Sequence, residues 1–145
     1  MKALLQRVTS ADVHIDGECV GAIKKGVLVF LGVEKTDDEQ ACEKLLDRVL
    51  AYRIFSDGEG RMNLSVRDIE GELLVVSQFT LVADTRKGLR PGFSAAGRPE
   101  ESERLYLRFV DLAQKKGIKV ASGHFGANMQ VSLINDGPVT FLLAV

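Results

Sequence analysis

The chain has few of the reagents on which enzymes usually rely. Of its 145 residues only two are cysteine and two histidine. Cys19 and Cys42 have neither C-x-x-C spacing nor a secretory context, so two reduced thiols in a cytoplasmic protein are expected. His14 falls in a strand-like segment and His124 sits beside Gly123 and Phe125. No spaced Cys, Asp or further His completes a ligand set, so neither a metal site nor a cofactor is expected. No apolar run approaches membrane-spanning length, and Met1–Leu5 is cut off by Gln6 and Arg7, too short for a signal peptide. The H-E-x-x-H, P-loop, G-x-S-x-G and dinucleotide fingerprints do not occur. A formal net charge of -1 and a pI near 6.1 argue against broad, sequence-independent adhesion to nucleic acid, with no DNA partner expected. A local basic patch can still grip a phosphate.

What is present suits one globular domain over residues 1–145. The hydrophobic content is 46%, and a chain of this size buries roughly 68 to 70% of its unfolded surface.

The most informative stretch runs from Leu73 to Leu81. Leu73, Leu74, Val75 and Val76 form a continuous apolar run, the pattern of a strand buried on both faces. Ser77, Gln78 and Thr80 break it. Read as a continuing strand, the stretch points Ser77 and Phe79 one way and Gln78 and Thr80 the other. Burying such polar groups unpartnered costs roughly 1 to 3 kcal/mol each, so they are satisfied internally or lie where a ligand reaches them. Hydroxyls bonding to neighbouring backbone at a strand end are the alternative.

In chain order, Lys2–Thr9 and Asp12–Asp16 read as two strands, Cys19–Ile23 as a short one and Val27–Val33 as a buried one, with turns at Gly17-Glu18 and Lys24-Lys25-Gly26, which makes an antiparallel meander plausible. Thr36 and Glu39 have capping-box spacing, and Cys42, Leu45, Leu46, Val49 and Leu50 recur at helical intervals, predicting a helix from about Asp37 to Ala51. Ile54-Phe55 reads as a short strand before an Asp57–Gly60 turn, and Asp68–Glu72 as another turn. The intervening Met62–Ser65 segment is ambiguous.

Between Ala83 and Arg98 there is no periodicity, and Arg86, Lys87, Arg90 and Arg98 face a single acid, Asp84. Long connections of this kind are usually functional or disordered, so this one is a candidate phosphate contact or a solvated loop. A second helix follows, with Pro99 at its first position, Glu100, Glu101 and Glu103 in the first turn, Lys115 and Lys116 in the last, and Gly117 beyond. Leu105, Phe109, Leu112 and Ala113 give it an inward face. Strands at Ile118–Ser122, Asn128–Ile134 and Val139–Val145 complete an α+β class in which sheet dominates and two helices cover it. Asn135-Asp136-Gly137-Pro138 reads, by itself, as an ordinary turn with a trans peptide.

Ser77-Gln78-Phe79-Thr80-Leu81 and Asn135-Asp136-Gly137-Pro138-Val139-Thr140 together resemble the two signature motifs of the D-aminoacyl-tRNA deacylases, also called D-tyrosyl-tRNA deacylases. Leu5–Val8, Leu31–Val33, Arg53–Phe55, Met62-Asn63, Lys87–Pro91 and Phe125–Met129 are similar to further family segments in family order. Gly92, where a serine is common, and the apolar Leu143-Ala144-Val145 ending depart from the pattern. The resemblance implies a homodimer of mostly antiparallel sheets with a barrel-like core. It would hydrolyse the ester of D-aminoacyl-tRNA, and of glycyl-tRNA, at the 3'-terminal adenosine. It also implies that Gly137-Pro138 is cis and enters the partner's site, with Asn135 and Thr140 in support and Arg7 orienting the corner. Ser77, Gln78, Phe79 and Thr80 would form the catalytic strand, and Phe93, Ala96, Phe125 and Met129 would seat the adenosine or substrate. An aminoacyl ester is already activated, so positioning it beside water and backbone N–H donors suffices in principle. A covalent esterase using Thr80, or a non-catalytic dimer that binds a tRNA end, are the alternatives.

Overall fold

Fourteen consecutive residues open the chain as one strand, β1 (Lys2–Ile15), where two strands are expected. In this computed structural model, which describes all residues 1–145, β1 is the axis of the sheet. Along one edge it pairs antiparallel first with β3 (Gly26–Gly32) and then with β2 (Glu18–Ile23). Along the other it pairs with β8 (Gln130–Ala144). The expected break near Ser10 is instead a register irregularity against β8 between Val8 and Ser10. The extra residue reverses the inward face: Ala3 and Leu5 belong to one apolar cluster, whereas Ala11 and Val13, at the same odd spacing, join Val8 in the other. That reversal is what a one-residue slip produces in a structure of period two.

The path continues from β3 to β6 (Glu72–Ser77) and β7 (Lys119–Ser122), both steps parallel. The sheet is therefore mixed, though antiparallel pairings predominate, as expected. Parallel neighbours need crossovers, and helices provide them: α1 (Glu39–Ala51) and a two-stranded ribbon, β4 (Phe55–Ser56) and β5 (Met62–Leu64), lie between β3 and β6, and α2 (Pro99–Lys115) lies between β6 and β7. The ends of the path, β2 and β7, approach so closely that a Cβ on Gly21 would sit 2.9 Å from the Ser122 carbonyl oxygen. The result is a nearly closed, barrel-like sheet.

Leu73–Val76 of β6 are buried on both faces, as their pattern predicts. Leu73 and Val75 join Leu45, Leu46, Leu105 and Phe109 of the helices, while Leu74 and Val76 join Val8, Val13 and Leu28 inside the barrel. α1 begins two residues later than expected, and its cap is Asp38, not Thr36: the Asp38 carboxylate accepts the Ala41 N–H at 2.8 Å. Asp37 turns back to accept the Glu34 N–H, and Thr36 is left in the preceding turn. In α2, Pro99 opens the helix and Gly117, at φ 82°, stands just beyond its end, both as expected. Both thiols are free, Cys19 exposed and Cys42 buried. Burial pushes the Cys42 thiol up to about 11. No helix is long and apolar enough to cross a membrane.

Candidate active site

β6 ends where its sequence turns polar. Ser77 is the last residue paired to β3, opposite Leu31, and the Gln78 N–H still donates to the Leu31 carbonyl at 2.8 Å. Gln78, at φ -141° and ψ 79°, then leads into a 3-10 turn over Phe79–Val82. The alternation expected from Ser77 to Thr80 therefore stops at Ser77. Leu81 N–H donates to the Gln78 carbonyl and Ala83 N–H to that of Thr80, each at 3.1 Å. As the leading amides of the turn, Phe79 and Thr80 have no acceptor within it. The Gln78 Nε2 donates to Thr80 Oγ1 at 2.5 Å, so these two polar side chains satisfy each other at the surface.

Beneath this turn lies a cavity of about 530 Å³. It brings together Ser77, Gln78, Phe79, Ala96, Phe125 and Met129 from the expected set, although these lie on three separate stretches of chain. Phe93 does not line it. Its ring instead meets that of Phe79 at 5.0 Å and 44°, and the two hold the rim, 37% and 61% exposed. Thr80 also lies outside the lining.

Three contributors are not apparent from pattern alone. Phe30 and Ser102 line the cavity, and so does Tyr106, packed 6.0 Å from Phe125. The Tyr106 hydroxyl donates to the carbonyls of Val75 (2.9 Å) and Gly123 (3.0 Å), tying β6 to the segment after β7. Burial pushes this phenol up to about 12. A polar-tipped aromatic on the inward face of α2 is the signal that points to it.

The second motif forms a separate cluster. β8 does not turn back at Asn135–Pro138. Asn135 pairs opposite Val8 and Thr140 opposite Gln6, so Asp136–Val139 bulge out of a strand that keeps its direction, and the ordinary-turn interpretation is overturned. The Gly137-Pro138 peptide is cis, as the resemblance implies. Asn135 braces the bulge from within: its Oδ1 accepts the Val139 N–H at 3.0 Å and its Nδ2 donates to Thr140 Oγ1 at 2.9 Å. Arg7 braces it from β1, its Nε donating to the Asp136 carbonyl at 3.0 Å. Gly137 has a φ of 132°, and a Cβ there would meet Val139 Cγ2 at 2.7 Å and Arg7 Nη2 at 3.1 Å; the position is built for glycine. Gly137 and Pro138 are exposed, and none of Arg7, Asn135, Gly137, Pro138 and Thr140 lines the cavity of their own chain.

No group of three or more His, Cys, Asp or Glu side chains stands close enough to hold a metal ion. His14 Nδ1 faces Asp12 Oδ1 at 2.9 Å, away from the cavity lining.

The family described as D-Tyr-tRNA(Tyr) deacylase matches residues 4–144. The D-aminoacyl-tRNA deacylase of Shewanella loihica is 58% identical over 145 residues, and that of Sodalis glossinidius 59%, with each pair covered over 100% of both chains. Among solved structures, the c-Myc DNA unwinding element binding protein superposes with a TM-score of 0.94 at 39% identity, covering 100% of this chain and 99% of its own. A structure described as a probable eukaryotic D-amino acid tRNA deacylase gives 0.86 at 18% identity over 99% and 98%, a likeness of fold.

Proposed function

The chain belongs to the D-tyrosyl-tRNA deacylase family, hydrolases of the aminoacyl-tRNA ester, and from that premise we propose how its geometry removes a D-aminoacyl group. The terminal adenosine of D-aminoacyl-tRNA enters the cavity between Ala96, Phe125 and Met129, with Phe79 and Phe93 as its rim. Its ester carbonyl comes to lie at the end of β6. The leading amides of Phe79 and Thr80 then donate to the oxyanion that develops as water attacks, an electrostatic stabilisation that needs no side-chain nucleophile. Water adds to the carbonyl carbon, the C–O bond to the ribose breaks, and the ribose oxygen leaves with a proton relayed by the neighbouring 2'-OH. The products are free D-amino acid and tRNA, and the reaction serves as proofreading in translation.

The carrying observation is the 3-10 turn with its unpartnered leading amides at the mouth of a largely apolar cavity. Thr80 as nucleophile is disfavoured, because the one side-chain partner of its hydroxyl is the Gln78 amide nitrogen, a donor that cannot accept a proton.

Chirality is set by exclusion. The exposed Gly137-Pro138 bulge does not reach the cavity of its own chain, so in a homodimer it enters the partner's site. There its carbonyls and the bare Gly137 Cα leave no room for an L side chain, whereas a D side chain points outward and achiral glycyl-tRNA is also accepted. Following loss of the ester from matched D-tyrosyl-tRNA and L-tyrosyl-tRNA tests this: hydrolysis of the D form alone is expected. Equal hydrolysis of both would overturn the exclusion mechanism, and hydrolysis of neither would overturn the activity.

A further inference from the structure

Beside the rim of the cavity stands a loop in which two of three cations have no intramolecular partner. Asp84 and Gly92 close its base with two backbone hydrogen bonds, of 2.7 and 3.0 Å, and Thr85–Pro91 project beyond it. All of those residues are exposed, and Leu89 is completely so at 104%. The carboxylate at the base, Asp84, is occupied by Arg86, whose Nε and Nη2 donate to it at 2.9 and 2.8 Å and hold its carboxyl well below the usual range. Lys87 and Arg90 make no ion pair. Arg98 makes none either, and it lies between Gly97 and Pro99, both part of the cavity lining. No acid occurs from Thr85 to Arg98. Acids resume at Glu100, and Glu101 is held by Arg104 at 3.1 Å.

The chain leaving the loop at Gly92 runs directly into Phe93, which packs on Phe79, and then pairs Ala96 with Glu34. The loop is thus anchored at its base and again at the rim. Along the chain the unpaired cations run from Lys87 and Arg90 in the loop to Arg98, which adjoins the cavity lining. The unpaired Lys87, Arg90 and Arg98 and the fully exposed Leu89, in a stretch without acids next to the cavity, suit an extended polyanion, with phosphates on the cations and an unstacked base on the leucine.

Resting on the deacylase reading above, we propose that the Thr85–Pro91 loop, with Arg98, binds the phosphodiester backbone of the single-stranded acceptor end immediately before the terminal adenosine. It supplies electrostatic affinity that an apolar cavity lacks.

The test compares two esters, D-tyrosyl-tRNA and D-tyrosyl-adenosine, the second having the same scissile bond and no phosphate. The Lys87→Gln, Arg90→Gln double variant is measured beside the wild type, with Lys44→Gln on α1 as a charge control. On tRNA the double variant is expected to raise KM and to flatten the slope of log KM against log salt by roughly 1.4 to 1.8, at about 0.7 to 0.9 per lost phosphate contact. On D-tyrosyl-adenosine its KM stays at the wild-type value, and the control matches wild type on both. An equal rise on both esters would overturn the proposal, because the loop would then be shaping the cavity. An unchanged KM and slope on tRNA would overturn it as well. If the wild type cleaves neither ester, the deacylase reading fails, and filter retention of uncharged tRNA decides the loop's role: a salt-dependent loss in the double variant supports it and equal retention overturns it.

Discussion

Arg7 Nε donates to the Asp136 carbonyl at 3.0 Å while its Nη1 donates to the Ile54 carbonyl at 2.7 Å, so one guanidinium ties the β8 bulge to the chain entering β4. The side chain is 12% exposed, which makes both bonds charge-assisted and partly shielded from water. Lysine carries the charge but lacks the planar fork that reaches two carbonyls at once. Arg7→Lys is therefore expected to lose about 1.5 to 3 kcal/mol of stability in denaturant unfolding and to slow deacylation of D-tyrosyl-tRNA. A variant with wild-type stability and rate would show that the corner holds its place without the clamp.

Gly137→Ala adds a methyl where the backbone disfavours any side chain and where Val139 and Arg7 already occupy the space. Its effect on turnover is expected to exceed that of Ser77→Ala, with kcat/KM on D-tyrosyl-tRNA falling about ten-fold or more, the equivalent of some 1.4 kcal/mol in the barrier. Rates on the L form are to be measured in parallel. An alanine variant with normal rates and normal chirality would sink the exclusion account.

Thr80→Val removes a hydroxyl that the proposed chemistry does not use while leaving the backbone amide in place. The expected loss in kcat is below about ten-fold, far from the roughly 10⁴-fold or greater loss that follows removal of a catalytic nucleophile. Mass spectrometry of the wild type quenched during turnover is expected to show no acyl adduct. An adduct at Thr80 would establish the covalent route instead.

Tyr106 links the core to the cavity through its hydroxyl. Tyr106→Phe leaves the Val75 carbonyl paired to the Gly123 N–H but strips the Gly123 carbonyl of this bond, at a cost of about 1 to 2 kcal/mol. Because burial raises the folded-state pKa to about 12 from its ordinary value of 10.0, the folded protein holds this proton where the unfolded chain releases it. The associated stability is complete below pH 10 and is lost as pH rises toward 12. Thermal melts across that window should show a steeper alkaline decline in the wild type than in Tyr106→Phe; parallel declines would show that another group governs it.

Much of this was open to inspection in the linear chain, because local physics dominates there. The doubly apolar Leu73–Val76 run and the helical spacing of Cys42, Leu45, Leu46, Val49 and Leu50 each have one economical burial. Pro99 and Gly117 mark helix ends by backbone constraint. The errors fall where two local solutions are nearly equal in energy. Thr36 and Asp38 are both competent caps, and which one serves depends on where the preceding chain is held. The Leu73–Leu81 stretch has strand propensity throughout, yet the hydrogen bond from Gln78 to Leu31 is the last before the chain turns.

By itself the sequence determined the α+β class, the buried central strand and, through two motifs far apart in the chain, the family. Only the tertiary structure decided that Asp136–Val139 is a bulge in a continuing strand and not a reversal, since that rests on β8 pairing with β1 on both sides of it. It alone placed Tyr106 and Ser102 beside Ser77 and Phe125 and left Gly137 and Pro138 exposed, outside the lining of their own chain's cavity. Such relations join residues remote in sequence, and the register that brings them together is set by the whole sheet, to which no local pattern has access.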